Sequence, residues 1–145
     1  EATAQAYDNE GYYHSGDLGM FDEKGYLHIL GRLKDLIIRG GQNVDPKEIE
    51  GILAKHPKIG EIAVVGMPDE ILGERICAYV VLKKVGDNIS LDETTCFLKK
   101  EGIAIYNFPE RIEIVPELPI SGGGKVMKEK LRDDIKENLI REGNL

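Results

Sequence analysis

Asp45-Pro46-Lys47-Glu48 fixes a helix start that nothing upstream can extend. An aspartate can accept from the N–H groups a helix leaves open at its beginning. Proline suits the first helical position, because its φ is already set and it has no N–H to leave unpaired. Ile49, Ile52 and Leu53 follow at helical spacing, and His56-Pro57 ends the run, since the residue before a proline is pushed out of helical backbone. Upstream, Asp35 to Arg39 reads as a short strand and Gly40-Gly41 as a turn. Downstream, Ile59 to Val65 and Ile76 to Leu82 read as strands, with Gly66-Met67-Pro68-Asp69 as the loop between them.

Ser90 or Asp92 can cap a further helix carrying Cys96, Phe97 and Leu98, and Arg111 to Val115 alternates as a strand does. Pro116 to Gly124 reads as a loop. A final helix from near Met127 puts Leu131, Ile135, Leu139 and Ile140 on one face. Unevenly spaced strands and helices of this kind predict an α+β domain, a small central β-sheet flanked by helices. Before it, Phe21 to Leu30 reads as a β-hairpin with a polar turn at Gly25, and this stretch cannot build a core of its own. No internal repeat stands out.

Net charge is -7 with a pI near 5.0, which disfavours sequence-independent binding to nucleic acid or to an anionic membrane surface. No apolar run reaches the roughly 18 residues of a membrane helix. Cys77 and Cys96 have no ligand-like neighbours and read as reduced core thiols of a cytoplasmic protein. Glu1-Ala2-Thr3-Ala4-Gln5 has neither an initiator Met nor a signal sequence, so the chain is expected to be cut from a longer one.

Ser121-Gly122-Gly123-Gly124-Lys125 places four small residues before a lysine, between a strand and a helix. Glycines let backbone N–H groups approach an anion, and the ammonium adds a mobile positive charge. A flexible connector with a solvated lysine accounts for the same residues. The spacing is not that of a Walker A loop. Asp17, in the Ser15-Gly16-Asp17 turn, could accept two hydroxyls or simply hold its own backbone. Arg32 could anchor a phosphate or close a surface ion pair. Arg39-Gly40-Gly41 is a side-chain-free stretch beside a cation, which a thin ligand could pass and which a hairpin turn equally explains. His14, His28 and His56 neighbour no nucleophile.

The order of these segments is more specific than any one of them. Tyr13 to Gly19, Gly25 to Ile37, Gly40 to Glu50 and Pro119 to Val126 together resemble the adenylate-forming superfamily of acyl-CoA synthetases, aryl-acid ligases and nonribosomal adenylation domains. The resemblance implies that residues 1–33 are the tail of a large N-terminal ATP-binding domain and 34–145 a C-terminal lid. It implies Asp17 on the ribose hydroxyls of ATP, Arg32 supporting the nucleotide, and Lys34 as hinge. Arg39, Gly40 and Gly41 would border the pantetheine tunnel. Lys125, on the loop of Ser121, Gly122, Gly123 and Gly124, would be the adenylation lysine. Gly123 stands where the family usually has Ser or Thr. The implied substrates and cofactors are ATP, Mg²⁺, CoA and a carboxylic acid, with the missing N-terminal domain as partner and no metal site in this chain.

The function so implied is the C-terminal part of an ATP-dependent acyl-CoA synthetase acting on a fatty or related acid. This piece alone is expected to be inactive, with its first 30 or so residues disordered or packed non-natively. An aryl-acid–AMP ligase loading a carrier protein is the alternative, and a non-catalytic phosphate-ligand binding module is a third reading.

Overall fold

A computed structural model describes residues 7–145; Glu1 to Ala6, which carry the reading of a missing initiator Met and signal sequence, lie outside the described residues. The chain forms two compact units, Glu1–Leu36 and Ile37–Leu145.

In the first unit, β1 (Asp17–Phe21) pairs antiparallel with β2 (Leu27–Arg32), with a register shift between Leu18 and Gly19. The turn between them is tied by Asp22, whose Oδ1 accepts from the N–H groups of Lys24 and Tyr26, both at 2.9 Å. Its Oδ2 meets His28 Nε2 at 2.9 Å, and Gly25 takes the left-handed φ of +82° that the turn requires. Residues 8–14 repeat this arrangement. Asp8 Oδ1 accepts from Glu10 and Tyr12, its Oδ2 meets His14 Nε2 at 3.2 Å, and Gly11 has φ +87°. A small repeat, Asp-x-x-Gly-Tyr-x-His, is therefore present where the sequence analysis finds none. Gly31 is the one buried residue among the described residues of this unit. A 3₁₀ turn at Leu33–Asp35 replaces the start of the strand expected from Asp35.

The second unit is the α+β fold, a mixed five-stranded sheet with helices on both faces. Two short strands, β3 (Ile37–Arg39) and β4 (Gln42–Val44), form a hairpin; β5 (Ile59–Asp69) and β6 (Gly73–Leu82) form a long one. Along its other edge β6 pairs with β3 at Gly73 and, in parallel, with β7 (Arg111–Ile114) over Cys77 to Val80. The helices are α1 (Pro46–Leu53), α2 (Leu91–Lys100) and α3 (Lys128–Glu142). Asp45 accepts from Lys47 N–H at 2.9 Å and Ser90 from Glu93 N–H at 3.1 Å, so each caps its helix, and Ser90 is the choice over Asp92.

Strand alternation divides the core between two faces. Val64, Ile76, Ala78 and Val80 join Ile49, Leu53 and Leu98 in one core, while Ala63, Val65, Cys77 and Tyr79 join Leu131, Ile135 and Leu139 in the other. Tyr79 finds partners for its buried hydroxyl in α3, donating to Asp134 Oδ2 at 2.6 Å with the Leu131 carbonyl at 3.2 Å.

Three local expectations are corrected. Gly66 to Asp69 are not a loop but the end of β5, paired with Gly73 to Ile76. Pro68 is tolerated because β5 lies at the edge of the sheet, where a missing N–H leaves no gap in an inner ladder. Cys77 is a core thiol, but Cys96 is exposed, because α2 buries the stripe of Thr94 and Leu98 instead. Ile140 is likewise exposed, one helical step beyond the buried row of Leu131, Ile135 and Leu139.

Candidate active site

In the first unit, Asp17 and Arg32 stand opposite each other as a cross-strand pair, with Arg32 Nε 3.1 Å from Asp17 Oδ1. Ser15 Oγ accepts from Asp17 N–H at 3.1 Å, and the Gly16 carbonyl accepts from Leu33 N–H at 2.8 Å. Gly16, at φ +74°, makes that turn. Ser15, Gly16, Arg32, Leu33 and Lys34 line a shallow cleft of about 340 Å³. A carboxylate, a guanidinium and an ammonium thus share one short stretch of surface, with donors and acceptors suited to a polyhydroxylated anion. Both proposed readings of the pair, surface ion pair and ligand site, use the same geometry.

In the second unit, Gly40 (φ +57°) and Gly41 (φ +80°) are both left-handed, which makes the β3–β4 connection a two-residue hairpin turn that only glycine-like residues adopt without strain. This turn is fastened on several sides. Gly40 N–H donates to the Leu72 carbonyl at 2.7 Å, and Ile38 N–H to Glu74 Oε2 at 2.7 Å. Arg39 donates through Nη2 to Glu110 Oε1 at 2.6 Å and through Nε at 3.1 Å. Glu110 Oε2 accepts from Ile76 N–H at 3.0 Å, so one carboxylate bridges β3 and β6 where β7 begins. Donating these hydrogen bonds to the Glu110 carboxylate raises the pKa of the Arg39 guanidinium and holds it charged. Glu110 carries no local sequence signal, because its partners lie 71 and 34 residues away.

The lysine segment is a built hairpin rather than a slack connector. Ile120 and Val126 form an antiparallel bridge. Ser121 N–H donates to the Lys125 carbonyl at 2.8 Å, Gly124 N–H to the Ser121 carbonyl at 2.9 Å, and Met127 N–H to the Pro119 carbonyl at 2.7 Å. Gly122, Gly123 and Gly124 close the loop, with Gly124 at φ +77°. Ser121 Oγ accepts from Lys125 N–H at 3.3 Å. Lys125 is exposed, and its ammonium has no ion-pair partner among the described residues. The backbone that carries it is fixed while its charge remains open to a ligand. The lysine hairpin and the Arg39-Gly40-Gly41 turn are held by different partners, the first against its own base and α3, the second against β6 and Glu110.

The second unit is thus a mixed sheet covered on both faces, with Lys125 exposed on a glycine hairpin at the entry to its last helix. Residues 48–125 match the AMP-binding enzyme C-terminal domain, and the chain belongs to that family. It is 49% identical over 142 residues to a medium-chain fatty-acid–CoA ligase of Escherichia coli (strain K12), which covers 98% of this chain and 25% of that protein. A 2,3-dihydroxybenzoate-AMP ligase of Bacillus subtilis (strain 168) is 38% identical over 97% of this chain and 26% of its own length. Among solved structures, ATP-bound MatB from Rhodopseudomonas palustris superposes with a TM-score of 0.83 at 39% identity, over 95% of this chain and 27% of that one. The chain therefore spans about a quarter of the length of the relatives it matches.

Proposed function

We propose that this chain is the lid of an ATP-dependent acid–CoA ligase, with residues 1–33 belonging to the ATP-binding domain and 34–145 forming the mobile part. The observation that carries the reading is Lys125: an exposed ammonium with no ion-pair partner among the described residues, on a hairpin whose base is hydrogen-bonded at Ser121, Gly124 and Met127. In the first half-reaction a carboxylate oxygen of the acid attacks the α-phosphorus of ATP, a new O–P bond forms and pyrophosphate leaves. Two anions must meet, and charge builds on the α-phosphoryl oxygens. A preorganised ammonium between them offsets that charge. In the second half-reaction the CoA thiol, giving up its proton, attacks the acyl carbon, and AMP leaves with the electron pair of the broken C–O bond.

Asp17 would accept from the ribose hydroxyls and Arg32 would support the nucleotide, both from the cross-strand pair that the β1–β2 ladder holds in register. Mg²⁺ would accompany the ATP phosphates and supply charge neutralisation there. Lys34 would be the hinge about which the lid swings between half-reactions. Arg39, Gly40 and Gly41 would then border the pantetheine path, where the side-chain-free turn leaves room for a thin chain. A location in the cytoplasm is part of this proposal, and the free thiols of Cys77 and Cys96 fit a reducing compartment.

The likeness to a fatty-acid–CoA ligase favours a fatty acid and CoA; the likeness to an aryl-acid–AMP ligase keeps a carrier-protein acceptor as the second reading. AMP release by the enzyme carrying this domain, measured over fatty, alicyclic and aryl acids with ATP, separates them. Strong stimulation by CoA with a thioester product is the expected result. Adenylate formation that CoA does not accelerate would move the acceptor to a carrier protein, and no adenylate with any acid would leave only a phosphate-ligand binding module.

A further inference from the structure

The ion pair between Glu50 and Lys128 is not explained by the fold alone. Lys128 is the first residue of α3, where the helix's own partial positive charge opposes an ammonium. Its side chain is nevertheless largely buried, at 16% exposure, and lies 2.6 Å from Glu50 Oε1. Glu50 comes from α1, on the opposite face of the sheet from α3. The same Oε1 accepts from Val64 N–H at 2.7 Å. Val64 belongs to β5, the edge strand, so this N–H points away from the ladder with β6 and would otherwise lack a protein partner. One carboxylate therefore caps the sheet edge and reaches round it to a helix on the far face.

What the clasp holds is the base of the lysine hairpin. Val126 is bridged to Ile120, Met127 N–H is bonded to the Pro119 carbonyl, and Lys128 begins α3, with no residue between hairpin and helix to absorb a shift. A displacement of the first turn of α3 is thus passed directly to Lys125. We infer that Glu50 and Lys128 are positioning residues for the adenylation step, fixing across the sheet edge where the ammonium of Lys125 stands. The inference rests on the proposed role of Lys125. A misplaced reacting group costs rate without any loss of substrate affinity, which distinguishes this role from general support of the fold.

Three variants test it: Lys128→Met, Glu50→Gln, which keeps an oxygen for Val64 N–H, and Lys128→Arg, which keeps the charge. In the enzyme carrying this domain, Lys128→Met and Glu50→Gln should each slow pyrophosphate release about tenfold through kcat with KM for ATP unchanged, as displacement of a reacting group does. The double variant should be no slower than either single one. Thioester formation from preformed adenylate should hold, and Lys128→Arg should retain the rate. In this 145-residue chain, Lys128→Met should speed amide exchange at residues 120–127 and leave β6 unaffected. Equal losses in both half-reactions, additive losses in the double variant, or unchanged exchange at 120–127 would overturn the inference. Lys125→Ala marks the other level: if that variant adenylates normally, the role of Lys125 falls, while the exchange result still decides whether the clasp holds the hairpin.

Discussion

Residues 7–36 and residues 37–145 both contain aromatic and aliphatic side chains at strand spacing, yet they use them in opposite ways. Phe21 and Tyr26 are 71% and 67% exposed, whereas Tyr79 is 1% exposed and Leu53 fully buried. The first unit is held by its turns and one ladder, since each of its two Asp–His turns closes within seven residues. The second is held by burial on both faces of a sheet, between residues far apart in sequence. A two-stranded hairpin is marginal by itself, so the first unit's apolar side chains contribute little until something covers them. Backbone order and stability come from different sources here, and the difference can be measured.

The largest effect should come from Leu53→Ala, which opens a cavity where no exposed surface exists and should cost about 2–5 kcal/mol. Urea unfolding followed by circular dichroism reads it. The matching change in the first unit, Ile29→Ala, removes a side chain already 57% exposed and should shift the same transition by no more than about 0.5 kcal/mol. Equal losses would erase the contrast. Tyr79→Phe comes next. It removes the hydroxyl from Asp134 and the Leu131 carbonyl while keeping the ring, and should cost about 1–2 kcal/mol in the same assay.

Asp22→Ala sharpens the contrast from the other side. Amide exchange at Lys24 and Tyr26 should accelerate, because both lose their acceptor, while the unfolding midpoint of the second unit stays where it was. A shift of that midpoint would show that the turn contributes beyond its own hairpin.

The smallest effect concerns pH. His56 is buried against Phe97, with ring centroids 4.9 Å apart, and desolvation lowers its pKa from 6.5 in spite of the nearby Glu93 carboxylate. The unfolded chain therefore takes up its proton first as pH falls. The contribution of His56 is complete above 6.5 and is lost as pH drops from there toward the lower folded value. Urea midpoints at pH 7.5 and 5.5 should differ for the native chain, with the lower pH less stable, and His56→Gln should reduce the difference. Asp22, Asp69, Glu93 and Glu142 are also lowered, from 3.8 or 4.5, so their losses fall at lower pH and do not blur this window.

What could be read from the sequence follows the same division. Asp45-Pro46 announced α1 because a cap is a local event, and Gly40-Gly41 announced a turn because only glycine enters that backbone region cheaply. The α+β class followed from the order of such signals. The true end of β5 did not, since Pro68 is a breaker by composition and its tolerance depends on an edge position set by the whole sheet. The exposure of Cys96 and Ile140 depended on which stripe of each helix met a core. At the candidate site, Lys125, Asp17 and Arg32 could be picked out by motif. Glu110 and the pair Glu50–Lys128 could not, because each acts through a partner that the chain brings close only on folding.

The central claim is that Lys125 serves adenylation and not the second half-reaction. The most direct measurement compares Lys125→Ala with the native enzyme in pyrophosphate release and, separately, in thioester formation from preformed adenylate. Removal of one preorganised charge should cut pyrophosphate release by roughly 10²–10³ and leave thioester formation far less affected. Undiminished pyrophosphate release, or equal loss in both steps, would contradict it.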